Sequence, residues 1–424
     1  MDEIRSKIVI VGAGAAGLWA AASAARAGAE VLVLEKTPRT GTKVLASGGS
    51  RCNLTTTLDA RGAGELFGRE GARFLQTALR VTPPLVVRER FHELGVETEE
   101  APLEKIFPKS GRAVDVRDAL ERDARAAGAR FTLDAGVVGL ERDGATWRLP
   151  LFDGRIVRCE RAIVCPGGAS YARTGTTGDG YAWFERLGLP IVEPVPALVP
   201  LTSPAAWVRD LSGIAVQDVE ARLLDATRTV LGRRRRPVLF THQGLSGPGA
   251  MDLSDPVARA HARAKRRRES PPTFTIELDL LPDLSRDSLR DLLIDAAGRA
   301  GAPTLSRVLP IDLPKRLLHR VTHQAGLGET DPRPNQLDKS ARHLLVESLK
   351  GLRVPIDGTL GFDHAEVTSG GLALTHVEPG TMRVRGHDGL YACGEILDLT
   401  GPIGGLNFQA AFATAELAAR DVAR

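Results

Sequence analysis

One stretch constrains this chain more than any other: Lys7-Ile-Val-Ile-Val-Gly-Ala-Gly-Ala-Ala-Gly-Leu18. Ile8 to Val11 form a short apolar, β-branched run, the mark of a strand buried on both faces. It stops at Gly12-Ala13-Gly14-Ala15-Ala16-Gly17 and continues as an Ala-rich helix to about Gly28. Gly12 permits the tight turn, Gly14 lets backbone approach a pyrophosphate, and Gly17 lets helix and strand pack closely. The helix start, around Ala13, Ala15 and Ala16, then offers unpaired N–H groups and a partial positive charge to phosphates. A second apolar run, Val31 to Leu34, ends in Glu35, placed to accept hydrogen bonds from an adenosine ribose. Strand, glycines, helix, second strand and acid fall in order, and together they predict dinucleotide binding.

The 424 residues suffice for more than one domain with a sizeable core. No apolar run approaches the roughly 20 residues of a membrane span, and the chain enters its first strand at once, so neither a membrane anchor nor a signal peptide is expected. Cys52, Cys159, Cys165 and Cys393 are widely spaced with no metal-ligand pattern. Reduced thiols in a cytoplasmic protein are expected, and no metal site. The net charge of +4 is uneven: Pro190 to Pro355 carries 25 Lys and Arg against 19 Asp and Glu, so the basic surplus lies in the middle of the chain. That region contains Arg233-Arg-Arg-Arg236 and Arg263-Ala-Lys-Arg-Arg-Arg268. Such runs read as solvated loops or as a footprint for an anionic partner, RNA above all.

After Glu35, the stretch from Lys36 to Asn53 lacks periodicity and is dense in Gly, Ser and Thr, so it reads as a long loop on the cofactor face. Ser47, Gly48, Gly49, Arg51 and Asn53 suit a flat heterocycle, with Cys52 among them. Lys36, Lys43 and Val138 join the candidate cofactor contacts. Arg130 to Leu133 and Gly136 to Leu140 are predicted strands; Trp147–Leu151 with Arg155–Cys159 resembles a hairpin. Arg161 to Gly168 reads as a further buried strand, whose Gly167 and Gly168 would return the backbone to the cofactor. Composition shifts at Pro190. We expect a discontinuous cofactor domain over 1–190 and 356–424, a β-rich insertion over 191–282 and a helical subdomain over 283–355.

A second strand–glycine–helix unit closes the sequence: Gly389 to Glu395, then Gly404-Gly405-Leu406-Asn407 before an Ala-rich helix. A nicotinamide dinucleotide needs mainly the first unit. FAD is longer, and its flavin needs a remote segment returned to the sheet, which the second unit, with Gly394 and Glu395, supplies. N–H groups at Gly404 to Asn407 could face the flavin edge, where negative charge develops on reduction.

With these strings in place the chain resembles the BaiN/RdsA-type flavoproteins, a group to which aminoacetone oxidase is also similar. The matching segments are Val11–Leu18, Ala46–Asn53, Thr176–Tyr181, Leu239–Pro248, Ala365–Gly371, Gly394–Asp398 and Gly404–Asn407. The resemblance implies an α/β fold, a Rossmann-like, glutathione-reductase-like FAD-binding domain interrupted by a β-barrel-like insertion and a helical subdomain. It implies FAD, with Glu35 on ribose, Gly12 to Gly17 on pyrophosphate, and Gly48 to Asn53 with Gly404 to Asn407 near the flavin. Three features depart from the family pattern: Leu406 where many members have Tyr, Ser50 where Gly is common, and the two basic runs.

The expected activity is FAD-dependent oxidoreduction of a C=C bond, and the resemblance includes reduction of a ribosomal RNA uridine to dihydrouridine. NAD(P)H is a transient reductant in that reading. Cys52 is a candidate acid, or simply a small buried residue. His242 is a candidate donor or substrate clamp, or a structural histidine. A small-molecule flavoenzyme acting on an amine, enone or steroid ketone is the second reading, and a flavin-containing RNA-binding factor without turnover the third.

Overall fold

The computed structural model describes residues 3–424, which divide into two compact units, residues 3–196 with 362–424, and Ala197–Gly361. In the first, strand Glu3–Val11 lies at the centre of a seven-stranded sheet. It runs parallel to Val31–Leu34, with Ile8 opposite Val31 and Val11 opposite Leu34. On its other side it runs parallel to Ile156–Val164, with Val11 opposite Val164. Arg130–Thr132 extends the sheet beyond Val31–Leu34. Buried on both faces, Val31 to Leu34 have no polar side to show, which is why the run does not alternate.

The second arm of the expected hairpin and the buried strand expected after it are one strand, Ile156–Val164, which has two neighbours in turn along the side away from Glu3–Val11. Its first half pairs antiparallel with Thr146–Pro150 and its second half parallel with Leu390–Ala392. The sequence pattern changes midway because the partner changes. Gly136 to Leu140, by contrast, is not a strand; Val137 makes a single bridge to Leu151. Helices Ala15–Arg26 and Leu406–Val422 pack together, so that Trp19 and Phe412 lie 4.8 Å apart between ring centroids, with Phe91 5.7 Å from Phe412. Burying a side chain such as Phe412 completely stabilises by about 1.5–3 kcal/mol. Glu416 adds a polar tie, accepting from Trp19 Nε1 at 2.9 Å and Ser23 Oγ at 2.6 Å.

The division falls a few residues beyond the expected Pro190 and residue 355. Strand Ile191–Ala197 pairs with Val367–Leu372 in the first unit, and Leu352–Ile356 pairs with Phe274–Asp279 in the second. The strands of the expected barrel-like insertion are divided between a five-stranded and a four-stranded sheet. The helices expected as a subdomain of their own share one core with them: Leu289, Leu293, Leu345 and Leu349 cluster with Ile276, Leu278 and Val354. Helical periodicity marks a buried face but not which sheet covers it. Among the described residues no helix is long and apolar enough to cross a membrane.

Candidate functional site

At the first turn each glycine has a different reason. Gly12 has φ +100°, and a Cβ there would lie 2.6 Å from Cys165 O. A Cβ on Gly17 would lie 1.8 Å from Gly12 O, so helix and strand could not approach as they do. At Gly14 a Cβ would meet nothing within 4 Å, and no side chain caps the helix that follows. The first N–H groups of the helix therefore have no capping side chain, as binding of a pyrophosphate would need. Glu35 closes one side. Its Oε2 accepts from Ala13 N at 2.8 Å, and its Oε1 accepts from Thr37 N at 2.9 Å and Thr37 Oγ1 at 2.8 Å.

The stretch Lys36 to Asn53, expected as a loop, contains helix Thr42–Ala46 and a 3-10 turn Ser47–Ser50. Gly48, Gly49, Ser50 and Cys52 all have positive φ, between 55° and 67°. For Ser50 and Cys52 this conformation costs on the order of 1–3 kcal/mol each and persists only where surroundings impose it. The surroundings are visible. Asn53 Oδ1 accepts from Ile106 N at 3.1 Å, and Arg51 lies over the Phe107 ring, 4.3 Å from its centroid. The Cys52 thiol is wholly buried in the core and pushed up to about 12 by that burial. It presents no surface to a substrate, so its role is packing and the acid reading loses its physical basis.

The last helix begins against this segment. Gly405 has φ +81°, and a Cβ there would lie 2.1 Å from Thr55 O and 2.9 Å from Asn53 Oδ1. Thr55 Oγ1 donates to Gln409 Oε1 at 2.7 Å, and Gln409 Nε2 donates to Thr82 O at 2.7 Å. Asn407 spends its amide on Gly401, accepting from its N and donating to its O, both at 2.9 Å. Leu406 is buried, while Gly405 and Asn407 are half-buried. Gly404 is buried yet leaves room beside it, since a Cβ there would meet only Leu103 O at 3.9 Å. Gly394 touches the first turn, since its Cβ would lie 2.9 Å from that of Ala16.

Other expected contacts are committed to neighbours. Lys43 Nζ donates to Glu395 Oε2 and Ser170 Oγ, both at 2.6 Å, and Glu395 Oε1 accepts from Thr368 N at 2.8 Å. Lys36 Nζ pairs with Asp179 Oδ2 at 2.6 Å. The Gly167 and Gly168 turn is walled by threonines: Cβ atoms there would lie 2.7 Å from Thr176 Cγ2 and 2.4 Å from Thr368 Oγ1. Its backbone is thus packed into Thr176 and Thr368. Val138 is exposed, its N–H donating to Pro150 O. His242 is exposed in the second unit, on the turn between strands Val238–Phe240 and Gly244–Ser246. Sequence reasoning missed Thr55, Gln409, Ser170 and Thr368 as site residues, although Thr368 lies within Ala365–Gly371 and Gln409 two residues beyond Gly404–Asn407. No His, Cys, Asp and Glu cluster among the described residues could hold a metal.

Such a sheet, with a glycine-cornered helix start near each end of the chain, is that of a Rossmann-type dinucleotide-binding fold. The profile of the HI0933-like protein Rossmann domain matches residues 6–421, and the chain belongs to that family of FAD-dependent enzymes. It is 31% identical over 419 residues to a ribosomal RNA dihydrouridine synthase of Escherichia coli, covering 99% of this chain and 98% of that one. It is 30% identical over 421 residues to a 3-dehydro-bile acid delta(4,6)-reductase of Clostridium scindens, covering 99% of both. Among solved structures, an E. coli quinol fumarate reductase superposes with a TM-score of 0.50 at 16% identity, over 100% of this chain and 70% of that one.

Proposed function

We propose that this protein binds FAD and reduces a C=C bond conjugated to a carbonyl, with a uridine of ribosomal RNA as the first substrate to test. The observation that carries the cofactor reading is the packing of Gly405 against Asn53 and Thr55, together with a first turn left open at Gly14. A dinucleotide without a long ring-bearing arm has no need of that second, remote turn. Glu35 would hold the ribose, the N–H groups after Gly14 the pyrophosphate, and the backbone at Gly404 and Leu406 the edge of the flavin. The bound flavin supplies hydride, with NAD(P)H as transient reductant. The chain's own part is to orient the substrate and to receive charge on backbone donors fixed in advance.

The names of the two relatives above share one chemistry, addition of hydrogen to a conjugated C=C, and this supports the reaction class. Their substrates differ, so ribosomal RNA and a steroid enone stand as rival occupants. The glutathione-reductase-like and barrel-like readings belong to the same proposal. Mass spectrometry of ribosomal RNA from a strain lacking the gene decides. Loss of one dihydrouridine, restored by the intact protein but not by a flavin-free variant, is expected. An unchanged profile in a parent that contains the modification overturns the RNA reading and sends the search to enones. Flavin bound at unit stoichiometry, but reduced by neither NADH nor NADPH, would leave a binding factor without turnover.

A further inference from the structure

The two basic runs look alike in sequence and differ in structure. In strand Val230–Arg235 the charges are answered by acids. Arg235 reaches Asp218 at 2.6 Å and Asp283 at 2.7 Å, Arg234 lies 3.6 Å from Asp252, and Arg233 lies 3.7 Å from Glu220. A polyanion would have to compete with carboxylates already in place.

The second run ends the helix Ser254–Arg267. Ser254, Val257, Ala258 and Ala264 are buried, and His261 fixes the same side through Nε2 to Pro272 O at 2.9 Å. On the exposed side Arg259 is bound to Asp255 at 3.1 Å, one turn back. Beyond it, Arg263, Lys265, Arg267 and Arg268 are all exposed, and among the described residues none is in an ion pair. Arg263 and Arg267 are neighbours at i,i+4 and repel each other. Arg268 stands in the left-handed cap position at φ +57°, where glycine or asparagine is the usual choice. The helix dipole favours cations in the last turn, yet it gives no reason for a long cation in a strained cap or for a repelling pair one turn apart.

We infer that the exposed end of helix Ser254–Arg267, through Arg263, Lys265, Arg267 and Arg268, is a contact surface for the phosphate backbone of RNA. This rests on the RNA reading above. Four unanswered cations on one rigid element release counterions on binding, which gives affinity without sequence preference and leaves base selection to the flavin site.

The test uses full-length, flavin-loaded protein and a fluorescent single-stranded fragment of ribosomal RNA, titrated from 50 to 300 mM KCl. Three proteins are compared: wild type, Arg263→Glu/Lys265→Glu/Arg267→Glu/Arg268→Glu, and a control of equal charge change, Arg228→Glu/Arg299→Glu/Arg307→Glu/Lys315→Glu. A Gln version of the first set guards against misfolding. We expect at least tenfold weaker binding and a log–log salt slope shallower by about 2–3, at about 0.7 per lost contact, with the control within about threefold. Flavin reduction by NAD(P)H should be unchanged in all. Steep salt-dependent binding that is equal in the variants overturns this surface while the RNA reading stands. Wild type that binds no RNA, or prefers vesicles of anionic phospholipid, overturns both.

Discussion

The helix that starts at Ala15 and the helix that starts at Leu406 both follow a glycine corner, yet they are built differently. At the first, the atoms that demand glycine come from nearby in the chain or from the adjacent strand: Gly12 O stands against Gly17, and Cys165 O against Gly12. At the second, they come from the far end of the sequence, since Thr55 O and Asn53 Oδ1 stand against Gly405. The first turn is a property of a βαβ unit. The second is a property of the finished fold. In the proposed reading a strand and its helix provide a general dinucleotide cradle, while the flavin half depends on long-range assembly.

Four measurements break or sharpen this contrast. Gly17→Ala has the largest expected effect, because its methyl would lie 1.8 Å from the carbonyl oxygen of Gly12 in the turn that follows the strand. We expect a loss of about 3 kcal/mol or more in urea unfolding, with little bound flavin; near-normal stability would show that the turn can yield. Gly405→Ala combines φ +81° with a 2.1 Å approach. It should cost about 2–3 kcal/mol and most of the flavin while retaining ADP binding by calorimetry. If ADP binding vanishes as well, the two corners are not separable. Glu35→Gln leaves the turn standing but replaces one accepting oxygen with a donor, and flavin affinity should fall about tenfold, or 1.4 kcal/mol. An unchanged dissociation constant would remove Glu35 from the ribose.

The smallest effect concerns the tie between the two helices. Burial alone would raise the Glu416 carboxyl, but hydrogen bonds from Ser23, Arg420 and Trp19, with the Arg420 charge, outweigh it and hold the carboxyl below its ordinary value. A carboxylate depressed in the folded state stabilises above its unfolded pKa and loses that contribution as pH falls through the folded one. Melting temperature should therefore fall less steeply between about pH 5 and 3 in Glu416→Gln than in wild type. Parallel acid limbs would assign the loss elsewhere.

The same contrast sets what could be read in advance. Strand Glu3–Val11, its glycines and Glu35 were legible because the pattern they form is consecutive in the chain, even though the atom that stands against Gly12, Cys165 O, is not. The partners of Gly405 were not, since nothing in Asn53 or Thr55 announces a residue some 350 positions away. Strand Ile156–Val164 looked like two elements because its neighbour changes halfway. Helices Arg286–Ala297 and Lys339–Lys350 looked independent because an apolar stripe does not name the sheet beneath it. Cys52 illustrates the limit for chemistry: a polar, Gly-rich context suggested access, while packing left it none.

The long-range second corner also orders events in time. During synthesis, Ile156–Val164 emerges well before Leu390–Ala392, and Trp19 well before Phe412. At roughly 5–20 residues per second the edge of the sheet and the apolar flank of the first helix wait tens of seconds for cover. Residues 197–361, with a core of their own, can fold in that interval. Flavin capture is then among the last steps of biogenesis, and ribosome-stalled chains should quench FAD fluorescence only once the stall point lies beyond Val422 and that helix has cleared the exit tunnel. Quenching by chains stalled before Gly389 would show that the nascent N-terminal half holds flavin unaided.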